Sequence, residues 1–151
     1  MDIINFEVNI PIDEDGYIEM ECDFCKKRFM LHKETYFNEK NLHFFCPICG
    51  LPNDTNTFYC TEIIENVETQ AFNYMNEKID KVLGGAIKKF NKNGFVKMSF
   101  NRPTKEPDKE LYLPSNSYEF VGFDCCKERA KVENFDKEIG VYCPICGGFK
   151  L

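Results

Sequence analysis

The chain has no tryptophan and no run of about 18 apolar residues, so a membrane-spanning helix is excluded at the level of sequence. Its first residues, MDIINFEVNIPIDEDG, lack a basic start followed by an apolar stretch, so no secretory signal is read there and a cytoplasmic location is expected. Charge of one sign is missing from two segments. Residues 1–24 carry eight acids and no base, whereas 81–105 carry seven bases (Lys81, Lys88, Lys89, Lys92, Lys97, Arg102, Lys105) and no acid. The net charge of −6 conceals this polarity. A solvated surface is the simpler reading of the basic stretch, and a phosphate-tracking surface is the sharper one. With 151 residues and an apolar fraction of 43%, the chain fits one ordinary domain or two very small ones, not a disordered polymer.

What is abundant is cysteine. Nine occur, an odd count, and a reducing cytoplasm disfavours structural disulfides, so metal binding or catalysis must account for them. "CDFC" (Cys22, Cys25) is followed after twenty residues by "CPIC" (Cys46, Cys49), a spacing expected of a four-cysteine zinc site. Two thiolates three positions apart on a tight turn can point at one ion, and a second such turn completes a tetrahedron at about 2.3 Å per sulfur. Pro47 helps hold the second bend, and Gly50 tolerates the positive φ that often follows one.

The pentapeptide CPICG recurs at Cys143–Gly147. "YIEMECDFCKKRF" from Tyr17 lies over "YEFVGFDCCKERA" from Tyr118, and after a four-residue deletion "FFCPICG" lies over "VYCPICG". The chain therefore contains an internal repeat whose copies differ. Phe123 replaces the first ligand, Cys22, and Cys125 replaces Phe24. The second site offers Cys125, Cys126, Cys143 and Cys146, and adjacent strand residues face opposite sides, so both Cys125 and Cys126 reach one ion only across a sharp bend. Three readings stand open: four thiolates on zinc through such a bend, three thiolates plus an outside ligand, or a metal-free relic. A redox role fails because no helix can follow either C-P-x-C, and the deaminase signature fails because no H-x-E precedes it.

Elsewhere, "INFEVNI" and "GYIEME" read as a hairpin turning at "PIDEDG". From Thr61, apolar residues recur at three and four (Ile64, Val67, Ala71, Met75, Ile79, Val82, Ala86, Phe90), predicting an amphipathic helix of about thirty residues. Thr61 is the expected cap, Asn93-Gly94 the stop, and Gly84-Gly85 a point of weakness. Its apolar stripe must be buried against something, so the helix either joins the two repeats into one unit, the preferred expectation, or pairs with another chain. "FVKMSF" (95–100) reads as a strand and the proline-bearing stretch after it as a linker. His32, His43 and Cys60 are read as ordinary strand or buried residues, not ligands. The expected organisation is α+β. An N-terminal hairpin and first zinc ribbon span 1–59, a helix 60–93, a strand and linker 94–117, and a second, divergent ribbon 118–151.

The paired C-x-x-C and CPxCG knuckles, with the tail "CC…GVYCPICG", resemble bacterial proteins described as containing a transcription-factor-B-type zinc ribbon. That resemblance covers residues 17–51 and, in the tail, 118–148. It implies a structural zinc ribbon that docks protein or nucleic acid and implies no reaction. The residues lead to the same preference: a non-enzymatic, zinc-binding module that docks a protein partner, without a membrane. The alternative is nucleic-acid binding through Lys88, Lys89, Lys92, Lys97 and Arg102, with Phe90, Phe95 and Phe100 as stacking groups. Zinc hydrolysis at an incomplete second site is set aside, since only Asp124 and Glu128 lie near it in sequence.

Overall fold

A computed structural model describes residues 7–94, 97, 99, 105, 107, 110–112 and 117–151. The strand expected over 95–100 lies, apart from Lys97 and Ser99, outside the described residues, as do Phe95, Phe100 and Arg102. The fold is α+β, with one long helix and small antiparallel sheets. The chain divides into two compact units, one holding Met1–Val8 with Ile64–Glu110 and the other Asn9–Ile63 with Leu111–Leu151.

In the second unit the same series of elements occurs twice. The first series is β1 (Tyr17–Glu21), β2 (Arg28–His32), α1 (Lys33–Tyr36), β3 (His43–Phe45) and β4 (Pro52–Asp54). A 3-10 turn (Thr55–Phe58) and α2 (Thr61–Asn93) follow. The second series is β5 (Tyr118–Phe123), β6 (Glu128–Glu133), α3 (Asn134–Ile139), β7 (Val141–Tyr142) and β8 (Phe149–Lys150). The short helices α1 and α3 begin at matching positions of the repeat and were not visible as helical periodicity, being only one turn or two.

The copies join each other directly. One four-stranded sheet runs in the order β1-β2-β6-β5, with Met30 opposite Lys131 and Leu31 opposite Ala130. Met30 and Lys131 are equivalent repeat positions, so a local two-fold passes between them. The expectation that the long helix joins the repeats is corrected accordingly: strand pairing does it. The core obeys the same symmetry. Alternation buries one face of each strand, and the buried residues fall into equivalent pairs: Met20 with Val121, Cys22 with Phe123, Phe29 with Ala130, Leu31 with Val132, Phe44 with Val141. Equivalent positions differ in size, as at Phe29 and Ala130, and the register sets large Leu31 opposite small Ala130.

Of the hairpin expected before residue 21, residues 1–6 lie outside the described residues, and the described part is corrected. Its turn exists, with Asp13 Oδ1 accepting from the Asp15 and Tyr17 backbone N–H groups at 3.0 and 2.8 Å. Residues 7–12 form no strand, however, and β1 pairs with the following β2. The Cys22 N–H donates to the Lys27 carbonyl at 3.0 Å, so the knuckle folds the chain forwards onto β2. Lys131, where the first repeat has Met30, ties that turn down by pairing with Asp13 and Asp15 and lying over the Tyr17 and Phe120 rings.

Helix α2 spans Thr61–Asn93 without a break at Gly84-Gly85, where an added Cβ would meet nothing within 4 Å. Thr61 is its first residue rather than its cap, and its hydroxyl donates to Glu21 Oε1 at 2.9 Å. The expected burial of the apolar stripe is not observed. Ile64, Met75, Ile79, Val82 and Phe90 are exposed, Val82 by 72%. The more covered residues include Ile63 and Ile87 but are mostly polar, among them Asn66, Gln70, Asn73, Asn76 and Asp80. Among the described residues no helix is long and apolar enough to cross a membrane.

Candidate metal centres

Each tetracysteine group is built by two tight turns brought together by the fold. In the first, the Lys26 backbone N–H donates to the Cys22 carbonyl at 2.9 Å and Lys26 takes a φ of 60°. On the facing turn the Gly50 N–H donates to the Cys46 carbonyl at 2.8 Å, with Gly50 at φ 75°. Both turns thereby aim two sulfurs inward. Cys22 Sγ lies 3.7 Å from Cys49 Sγ, and Cys25 Sγ lies 3.7 Å from Cys46 Sγ. A regular tetrahedron with metal–sulfur bonds of about 2.3 Å has edges of about 3.8 Å. These two edges match those of a tetrahedral site, and all four sulfurs lie within 4.8 Å of one another. Backbone N–H groups of Ile48 and Cys49 point at Cys46 Sγ at 3.4 and 3.5 Å, the polarity a thiolate needs.

The second group is Cys125, Cys126, Cys143 and Cys146, whose sulfurs all lie within 4.8 Å of one another. The bend that adjacent ligands require is present. Strand β5 ends at Phe123, and Asp124–Lys127 form a turn in which Lys127 adopts φ 52°, matching Lys26. Cys125 Sγ reaches Cys146 Sγ at 3.4 Å, and the Gly148 N–H reaches Cys146 Sγ at 3.4 Å. Phe123 occupies the place of Cys22 but is turned into the core, 2% exposed, while Cys125 is carried by the turn on the solvent side. The first group is therefore enclosed, and the second has two exposed thiols, Cys125 and Cys146.

The thiols respond as crowded acids. Burial opposes ionisation of Cys22, but the Cys25 and Phe24 backbone N–H groups outweigh it and hold that thiol below its ordinary value. Burial pushes Cys25 up to about 11 and Cys46 up further. In the second group the Gly148 N–H, helped by the Cys125 and Cys126 thiols, lowers Cys146 to about 7. Cys125 is raised by the neighbouring Cys146 and Cys143 thiols, and Cys126 and Cys143 are raised chiefly by burial. Cys22 and Cys146 are thus the thiols that ionise most readily, and a bound cation would favour the thiolate form of the rest.

The two CPICG turns also hold each other. The Phe45 N–H donates to the Pro144 carbonyl and the Tyr142 N–H donates to the Pro47 carbonyl, both at 2.8 Å. A Cβ on Gly50 would sit 3.0 Å from the Tyr142 ring, and one on Gly147 2.8 Å from the Phe45 ring. Each glycine therefore serves twice, once for its positive φ and once for the aromatic ring of the other repeat. This reciprocal clasp was missed by sequence reasoning. Its signal was the aromatic residue that precedes both CPICG copies.

Cys60 is buried with Glu21 and Glu62 around it, all within 4.8 Å. Arg28 already supplies the cation there, contacting Glu19, Glu21 and Glu62 at 2.9, 3.0 and 2.8 Å. The Cys60 thiol, pushed up to about 12 by burial, donates to the Glu19 carbonyl at 3.4 Å. This cluster anchors the start of α2. His32 Nδ1 accepts from the Glu34 N–H at 3.2 Å and caps α1, and His43 is exposed on β3. Lys88, Lys89, Lys92 and Lys97 are all exposed. Comparison with models of known protein families, with curated proteins and with solved structures returns no match.

Proposed function

We propose that this chain is a non-enzymatic docking protein whose paired repeats are zinc ribbons, each holding one Zn2+ through four thiolates. The observation that carries the metal assignment is the 3.7 Å sulfur spacing across the first group, close to the edge of a zinc–thiolate tetrahedron. Iron would take the same donor set, but a closed four-thiolate site on short hairpins is above all a means of stabilising folds too thin for a large apolar core. The zinc-ribbon resemblance of the knuckles supports the same reading. The working surface is α2, whose stripe from Ile64 to Phe90 is exposed along its length. Exposed apolar area of that extent marks interaction sites. A cytoplasmic setting, where thiols stay reduced, suits both features.

Elemental analysis of the purified chain is expected to give two zincs. Capture from native cells is then compared between the natural chain and one carrying Ile79→Asp and Val82→Asp. The docking reading expects a protein that the natural chain retains after nuclease treatment and the double variant loses. Equal capture by both would refute the role of α2. The second reading, nucleic-acid binding, draws on the exposed lysines at 81, 88, 89, 92 and 97 with half-exposed Phe90 among them. It expects capture that nuclease abolishes and that falls steeply with salt.

A further inference from the structure

The charge along α2 is divided as cleanly as its apolar stripe is continuous. Its first half, residues 61–77, carries Glu62, Glu65, Glu68 and Glu77 and no base. Its second half, residues 78–93, carries five lysines and one acid, Asp80. The stripe advances in steps of eleven, Ile64 to Met75 to Ala86 and Ile79 to Phe90, so it runs almost parallel to the helix axis. It is also nearly a palindrome about residue 77. Reversing the helix on itself brings Ile64 level with Phe90, Phe72 with Val82, and Met75 with Ile79, all exposed. In the same register Glu65 comes level with Lys89.

We propose that the partner of this face is a second copy of the same chain, packed antiparallel along α2. The inference rests on the docking reading and names its occupant. Two identical helices related by a two-fold must present one patch to itself, and only a self-complementary patch allows it. Antiparallel packing sets each acidic half beside the other copy's basic half. Parallel packing would set like charges together along the whole length. The polar face formed by Asn66, Gln70, Asn73, Asn76 and Asp80 is the more covered one, so the apolar face is the side left for a neighbour.

The stripe is about 40 Å long and about 10 Å wide, or on the order of 400 Å² on each copy. The total of about 800 Å² lies below the size of stable interfaces and in the weak, transient range, so a dimer with a dissociation constant on the order of 1–100 µM is expected. Sedimentation equilibrium of the full zinc-loaded chain, from about 1 to about 200 µM and at about 0.05 and about 0.5 M salt, tests it. The expected result is a reversible dimer that weakens as salt rises, because opposite charges face each other. Ile79→Asp with Val82→Asp is expected to weaken it at least about tenfold while the zinc content stays at two, since both positions are exposed.

A monomer throughout, a dimer that tightens with salt, or a dimer indifferent to both substitutions would overturn the proposal. A monomer that still captures another protein through α2 would overturn this inference alone. Self-association and capture both untouched by the substitutions would overturn the docking reading as well.

Discussion

Gly147→Ala gives the most direct test of the clasp between the repeats. Gly147 has φ 75°, and a Cβ there would lie 2.8 Å from Phe45 Cδ1 and 3.0 Å from Cε1. The left-handed backbone alone costs an alanine about 1–2 kcal/mol. Forcing a methyl into a packed ring contact adds about 1–3 kcal/mol, because the ring sits beside a strand that cannot retreat freely. The summed cost is about 2–5 kcal/mol, read by denaturant unfolding at a fixed excess of zinc. The two contributions separate when Phe45→Ala is combined with it. Without the ring the clash disappears and only the backbone cost of about 1–2 kcal/mol remains. A helix control, Gly84→Ala, should stabilise by up to about 1 kcal/mol, since its Cβ meets nothing. An equal cost for Gly147→Ala with and without Phe45 would refute the reciprocal packing.

Two further outcomes follow from the metal groups and the N-terminal turn. Under a limiting chelator, one metal should leave well before the other, and Cys125→Ser should remove the fast phase while Cys22→Ser removes the slow one; the reverse order would contradict the exposure of Cys125 and Cys146. For Asp13, burial raises the pKa, but the Lys131 ammonium and the Tyr17 N–H outweigh it and leave the carboxyl below its ordinary value. Its contribution is then fully present above about pH 4 and lost as pH falls through the lowered folded value. Asp13→Asn should flatten that part of the acid-unfolding profile, and an unchanged profile would remove the Asp13–Lys131 pair from the account.

The enclosed cysteine group and the long helix were legible because both are written in short spacings: two C-x2-C pairs, and apolar residues at three and four from Ile64 to Phe90. The pairing of β2 with β6 was not, because Met30 and Lys131 are a hundred residues apart and nothing local encodes their register. For the same reason the sequence suggested that Tyr17–Glu21 pairs backwards, when the knuckle at Cys22–Lys27 folds it forwards. The gathering of Cys125 and Cys126 into one cluster depends on the four-residue turn Asp124–Lys127, the sharp bend that the sequence required without showing that it forms. Burial of the α2 stripe was misjudged because periodicity shows that a face wants cover and is silent on whether its own chain provides it.

A two-fold contact between separate molecules binds both sides to the same residue at every position. Here the mates Phe45 and Tyr142, Met30 and Lys131, Cys22 and Phe123 are spelled independently along one polypeptide. Each half can therefore drift toward its own task, one sealed and the other open to solvent, while their shared seam keeps its fit. By the same logic a chain cut at α2 would yield two fragments that each lack the ring to cover their own glycine.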